Sequence, residues 1–144
     1  MNRQALTMLY GINHYAIKAN VADVTEAESL VSPNTGGNCM NWVLGHITAT
    51  RNVILGLLGQ APVWTAEEAA PYVRGSDGLK DRGKARPFAS IVADFDRAQE
   101  RLMAGLQKVS DADLNASLAN KDIPKNVAAL HFHEAYHAGQ LGLL

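Results

Sequence analysis

Apolar residues recur at three- and four-residue steps in four long stretches of this chain, the period of helices that bury one face. Leu6, Leu9, Tyr10, Ala16 and Ile17, with Asn13 in line and His14 beside it, predict a first helix over about 3–20. Trp42, Val43, Ile47, Val53, Ile54, Leu57 and Leu58 predict a second over about 38–58, ended by Gly59 in the usual C-terminal position. Phe88, Ile91, Val92, Phe95, Leu102 and Leu106 predict a third, opened by Pro87 where proline is tolerated and running to about 109. Leu130, His133, His137, Leu141 and Leu144 share one face of a fourth, starting near Pro124. That helix meets no stop signal, which predicts a longer native helix.

The links differ in kind. Thr25-Glu26-Ala27-Glu28 has the spacing of a capping box, and Ser110-Asp111-Ala112-Asp113 repeats a cap-like spacing. Each half of the chain therefore reads as a long helix, a capped turn, then a helix with histidine on its inner face. Residues 60–86 make a long connection with Pro62, Pro71, Gly75, Gly78 and Gly83, and Thr65-Ala66-Glu67-Glu68 predicts one short turn within it. Trp64, Tyr72 and Val73 are expected to pack parts of it onto the body, Trp64 and Tyr72 either roofing the site or sealing the bundle end. No strand pattern survives, so the expected fold is all-α, a single-domain four-helix bundle over 1–144. The long 2–3 link can cross a helix length of about 30 Å, which lets helices 2 and 3 run parallel.

Composition narrows this picture. With 144 residues, 47% hydrophobic and 19% charged, the chain suits one soluble core. A formal net charge of -1 gives no basic surface for nucleic acid or anionic lipid. No apolar run approaches the roughly 18 residues of a membrane span, and the N-terminus has no signal-peptide pattern. One cysteine, Cys39, excludes an internal disulfide and fits a reducing cytoplasm. Its position near a helix start would favour a thiolate, while a buried inert thiol is the plainer reading.

The chemistry concentrates in His131-Phe132-His133-Glu134-Ala135-Tyr136-His137-Ala138-Gly139-Gln140. His133 and His137 stand one helical turn apart on one face, close enough to share a divalent ion. His131 points nearly opposite and is set aside. Glu134 lies roughly 100° around the axis from His133. His46 is in line with the apolar face of helix 2. Alone it reads as a satisfied core histidine; with the pair it can supply a third ligand if helices 2 and 4 meet. Three protein ligands leave positions for water, the pattern of a catalytic rather than a structural site. Such an ion lowers the pKa of bound water or thiol and polarises an electrophile. A histidine-only site accepts nickel, zinc, copper, cobalt or iron.

Asn41-Trp42-Val43-Leu44-Gly45-His46-Ile47 with Arg51, and His133-x-x-x-His137-Ala138-Gly139-Gln140-Leu141, resemble the DinB/YfiT-like family of metalloenzymes. The resemblance spans essentially the whole chain, including the Pro87-Phe88 opening and the turn from Val109 to Leu114. It implies an up-down-down-up bundle, homodimers, and a divalent metal, often nickel or zinc, on three histidines, here His46, His133 and His137. Some relatives transfer low-molecular-weight thiols such as bacillithiol or mycothiol, or isomerise thiol adducts. Glu134 is a departure, since the family requires no glutamate after its second histidine.

The expected function is that of a metal-dependent enzyme, a thiol transferase or hydrolase, acting on a small molecule. The alternative is a metal-binding or structural bundle without catalysis. His133-Glu134-x-x-His137 also spells the zincin signature. Only seven residues follow His137 to supply a third ligand, the extended motif needs glycine where Gln140 stands, and no strand exists to hold a peptide. Glu134 is the candidate general base, against an exposed glutamate on the next face. Asn13, Tyr136 and Gln140 are candidates for lining the pocket or orienting ligands, against packing or helix-surface hydrogen bonding, which is the plainer reading for Tyr136. Arg51 is a candidate for holding an acidic substrate, or else a surface charge.

Overall fold

The structure, a computed structural model, describes residues 2–144. It is all-helical, with no strand among the described residues. Four long helices carry the body: α1 (Arg3–Val21), α3 (Met40–Leu57), α5 (Phe88–Lys108) and α7 (Val127–Leu143). Three shorter ones, α2 (Glu26–Ser29), α4 (Ala66–Ala69) and α6 (Asp111–Ala119), sit in the links. Thr25 and Thr65 each form a full capping box, with Glu28 and Glu68, so the cap spacings become real helix starts. Ser110 caps nine residues of helix, longer than the single turn its spacing predicts.

Two boundaries move inward. α3 begins two residues later than its periodicity suggests, with Cys39 as N-cap. The stretch beginning at Pro124 closes as a 3-10 turn, Ile123–Lys125, and α7 starts only at Val127. The reason is Asn126, whose side chain accepts from the backbone N–H groups of Ala128 and Ala129 and so claims the cap position.

Each long helix packs against two others: α1 against α5 and α7, and α3 against the same two. Two apolar clusters fill the interior. One joins Leu6 and Tyr10 to Ile54, Leu55, Leu102 and Leu130; the other joins Ile17 to Val43, Leu44, Ile47, Ile91, Phe95 and Leu141. Leu9 and Leu57 are only half-buried, and Val53 is exposed, because the inner face of each helix is narrower than its apolar stripe.

The long connection is pinned rather than loose. Asn52 accepts from the Val63 N–H and donates to the Trp64 carbonyl. Trp64 Nε1 donates to Asp94 Oδ2 at 2.6 Å, and Arg97 and Arg86 donate to the same carboxylate. Tyr72 lies fully buried with its ring against Gly45, where any Cβ would stand 2.1 Å from Tyr72 Cδ1. Val73, expected to pack down, stays 45% exposed. No helix among the described residues is long and apolar enough to cross a membrane.

Candidate metal centre

Two helices and one loop carbonyl build the site. His46 sits mid-α3 and His133 and His137 one turn apart on α7, and the α3–α7 contact brings the three together. His133 Nε2 lies 3.2 Å from His46 Nε2 and 3.1 Å from His137 Nε2. One nitrogen from each ring falls within 4.8 Å of the other two.

The outer nitrogens decide which inner ones carry lone pairs. His46 Nδ1 stands 2.7 Å from the Tyr72 carbonyl, an acceptor only, so Nδ1 holds the proton and Nε2 is bare. His137 Nδ1 donates to Gln140 Oε1 at 2.6 Å, which likewise bares its Nε2. A proton on His133 Nε2 could satisfy just one of these two neighbours. Three bare nitrogens facing one point repel unless a cation lies between them. Nitrogens bound at about 2.0–2.1 Å to one ion stand roughly 3 Å apart, as these do. The donor set therefore fits a divalent transition metal. His133 Nδ1 is buried and has no hydrogen-bond partner among the described residues, so this ring is the least firmly oriented of the three.

The electrostatics keep the ligands neutral. Burial pushes all three imidazoles below their ordinary value, His133 furthest, to about 4. For His133 the adjacent His137 and His46 add to burial, and the Arg74 cation makes a smaller contribution in the same direction. For His46 the Tyr72 carbonyl pulls back the other way, and for His137 the Gln140 contact does.

Two clefts reach the histidines from outside. One, of about 500 Å³, is walled by Asn38, Trp42, Ser76, Tyr136 and Gln140. The other, of about 260 Å³, is walled by Ala49, Val53, Val73, Ile123 and Leu130. His46, His133 and Arg74 border both. Trp42 stacks flat on His46 with ring centroids 4.7 Å apart, and Tyr136 meets His137 edge-on at 5.1 Å. Trp42 Nε1 in turn donates to Ser76 Oγ and the Pro71 carbonyl, which anchors the cleft wall. A larger cleft, about 750 Å³ between Asn20, Met40 and Leu141, contains none of the histidines.

Other residues marked by the sequence fall elsewhere. Glu134 is not exposed: it is 1% accessible and takes two hydrogen bonds from Arg51, itself 0% accessible. Arg51 is thus neither a surface charge nor free for substrate; its guanidinium lies over the Phe95 ring. Asn13 donates to the His131 carbonyl at 3.4 Å and lines neither cleft. Trp64 seals the connection and stays out of both clefts, while Tyr72 supplies only its carbonyl. Cys39 is buried and receives a long contact from Arg82. Arg74 and the Tyr72 carbonyl were not singled out from the sequence, because an irregular segment has no period to show where its groups point.

An all-helical body with a three-histidine cluster between two of its long helices is the class these features define. The chain matches the sequence profile of the DinB superfamily over residues 14–141, and it belongs to that superfamily. No curated protein matches it significantly.

Proposed function

We propose that this protein is a metal-dependent enzyme whose divalent ion, nickel or zinc, is held by His46, His133 and His137. The observation that carries the reading is the convergence of three neutral imidazoles, two with their lone pairs fixed inward by Tyr72 and Gln140. Three protein ligands leave room for an incoming group, and both clefts lead to it. A divalent ion held there supplies Lewis acidity, lowering the pKa of a thiol or water and polarising an electrophile. A small-molecule thiol transferase is favoured over a hydrolase by the apolar lining of the smaller cleft, which suits a soft nucleophile and an apolar electrophile. Glu134 has no part as a base, since Arg51 holds both its oxygens.

The contacts fit the up-down-down-up arrangement. Asn13 meets His131 and Asn20 meets Ala138, so α1 and α7 run the same way, while His46 with His133 and Arg51 with Glu134 join α3 to α7. A homodimer is proposed on the outer face of α1 and α7. Met8, Ile12 and Tyr15 on one helix and Phe132, Tyr136 and Leu143 on the other are exposed, and no charged side chain interrupts the two stripes. The lone cysteine, free and buried, suits a reducing compartment such as the cytoplasm.

The test is metal content. Purified protein should carry about one divalent ion per chain by mass spectrometry, and His46→Ala should lose most of it while keeping its helical circular dichroism. Metal retained at full stoichiometry in His46→Ala overturns the three-histidine centre. Metal-dependent consumption of a low-molecular-weight thiol, across a panel of electrophiles, then tests the enzyme.

A further inference from the structure

Among the described residues Arg74 is the only charged side chain bordering either cleft, and it borders both, as His46 and His133 do. It makes no ion pair and no side-chain hydrogen bond among the described residues. Every other arginine of the chain has a hydrogen-bond or ion-pair partner: Arg3, Arg51, Arg82, Arg86, Arg97 and Arg101. The backbone that carries Arg74 is nevertheless held. The Tyr72 carbonyl is tied to His46, Trp42 reaches Pro71 and Ser76, and Ser76 N–H closes a turn on the Val73 carbonyl. A free guanidinium on a fixed loop, beside an apolar trough and a metal-ligand cluster, is arranged to bind an anion.

We propose that Arg74 is the specificity-determining residue of this site, pairing with a carboxylate on the substrate while the apolar cleft takes its carbon skeleton. The substrate class is then a small organic acid with an apolar arm. Its reacting group sits at the histidines, and its carboxylate lies at the junction of the two clefts. A planar guanidinium suits this role because it can donate two parallel hydrogen bonds to one carboxylate. Val53, Val73, Ile123 and Leu130 offer no polar partner, and the other polar side chains of the two clefts, Thr50, Asn38, Ser76, Tyr136 and Gln140, are uncharged, so beside the histidines Arg74 is the cation an acid group meets. The proposal rests on the metal-centre reading.

The probe is the cobalt(II)-loaded full chain, titrated with 3-mercaptopropionate, its neutral methyl ester and the cationic cysteamine. Thiolate-to-cobalt absorption reads binding directly, without turnover. The expected result is that the carboxylate thiol binds about five- to tenfold more tightly than its ester, with cysteamine weakest. Arg74→Ala should erase that difference while leaving cobalt uptake and ester affinity unchanged, and Arg74→Lys should restore part of it. Because Arg74 is exposed and unpaired, the variant should keep the parent's thermal midpoint. Cobalt uptake with equal affinities for acid and ester overturns the anion subsite alone. A preference that survives Arg74→Ala also overturns it. Failure to take up cobalt at all overturns the metal centre and the subsite together.

Discussion

Arg51 and Glu134 are joined by two hydrogen bonds, Nε to Oε2 at 2.8 Å and Nη2 to Oε1 at 2.9 Å, with neither side chain reaching solvent. The pair crosses from α3 to α7 within one residue of His133, so it fixes the helix that carries two of the three histidines. Removing one partner leaves the other charge buried without compensation. Glu134→Gln or Arg51→Met should therefore cost about 3–5 kcal/mol in chemical denaturation. The double replacement Arg51→Met with Glu134→Leu should recover most of that loss, since apolar residues of similar volume remove both desolvation costs. Metal content should survive in the folded fraction of Glu134→Gln, whereas a glutamate acting as base would lose activity at unchanged stability.

Gly45 has a separate duty on the same helix. A methyl group there would meet Tyr72 Cδ1 at 2.1 Å and Cε1 at 2.4 Å, so the ring or its loop must move. Gly45→Ala should destabilise by at least about 1–3 kcal/mol, the usual cost of overpacking. It should also weaken metal binding, by about 10- to 100-fold, because the Tyr72 carbonyl orients His46. Competition against a chromogenic chelator measures the second effect. A stability loss with unchanged affinity would mean that the carbonyl contact does not set the imidazole.

The histidines and the Arg51–Glu134 pair beside them differ in how far the sequence displays them. His46 was readable because it sits in line with Val43 and Ile47 on a helix of strong period, and His133 and His137 because four residues make one turn. The four long helices followed from the same periodicity. The burial of Arg51 was not readable, since it depends on a carboxylate 83 residues away and leaves no local mark. Glu134 was hidden twice over, because its placement beside a histidine imitates a catalytic motif. Asn126 lost to Pro124 as the apparent start of α7, two valid start signals competing within three residues. The Tyr72 carbonyl belongs to no side chain and could be found only from coordinates.

Acidity should act on the metal-free protein in a direction set by the histidines. Their folded values lie below the ordinary imidazole value of 6.5, with His133 at about 4, so the unfolded chain binds protons first as pH falls. Stability is therefore full above pH 6.5 and is lost progressively from there down through about 4. His133→Gln should flatten this acid limb of the thermal midpoint against pH. In the metal-loaded protein the ligands are already neutral at pH 7, so affinity should rise little from pH 7 to 8 and fall steeply on acidification. A midpoint that rises on going from pH 6.5 to 5 would contradict the burial of these rings.

The outer face of α1 and α7 should hold the protein as a dimer. Tyr15, Phe132 and Tyr136 are 77%, 74% and 59% exposed, and each aromatic side chain offers roughly 150–250 Å². With Met8, Ile12 and Leu143 the exposed apolar area approaches the roughly 800 Å² per partner of a standard interface. The two helices lie side by side, tied through Asn13 and Asn20 to α7 carbonyls, so both stripes can meet one partner surface. An uncharged face is compatible with its own copy about a two-fold axis, where like charges would repel. Sedimentation should give twice the 15.5 kDa chain mass for the parent protein. Ile12→Glu with Phe132→Glu should give the monomer, with helicity kept, because both side chains are exposed within the single chain. A parent protein that sediments as a monomer at high micromolar concentration would leave that face for a different partner.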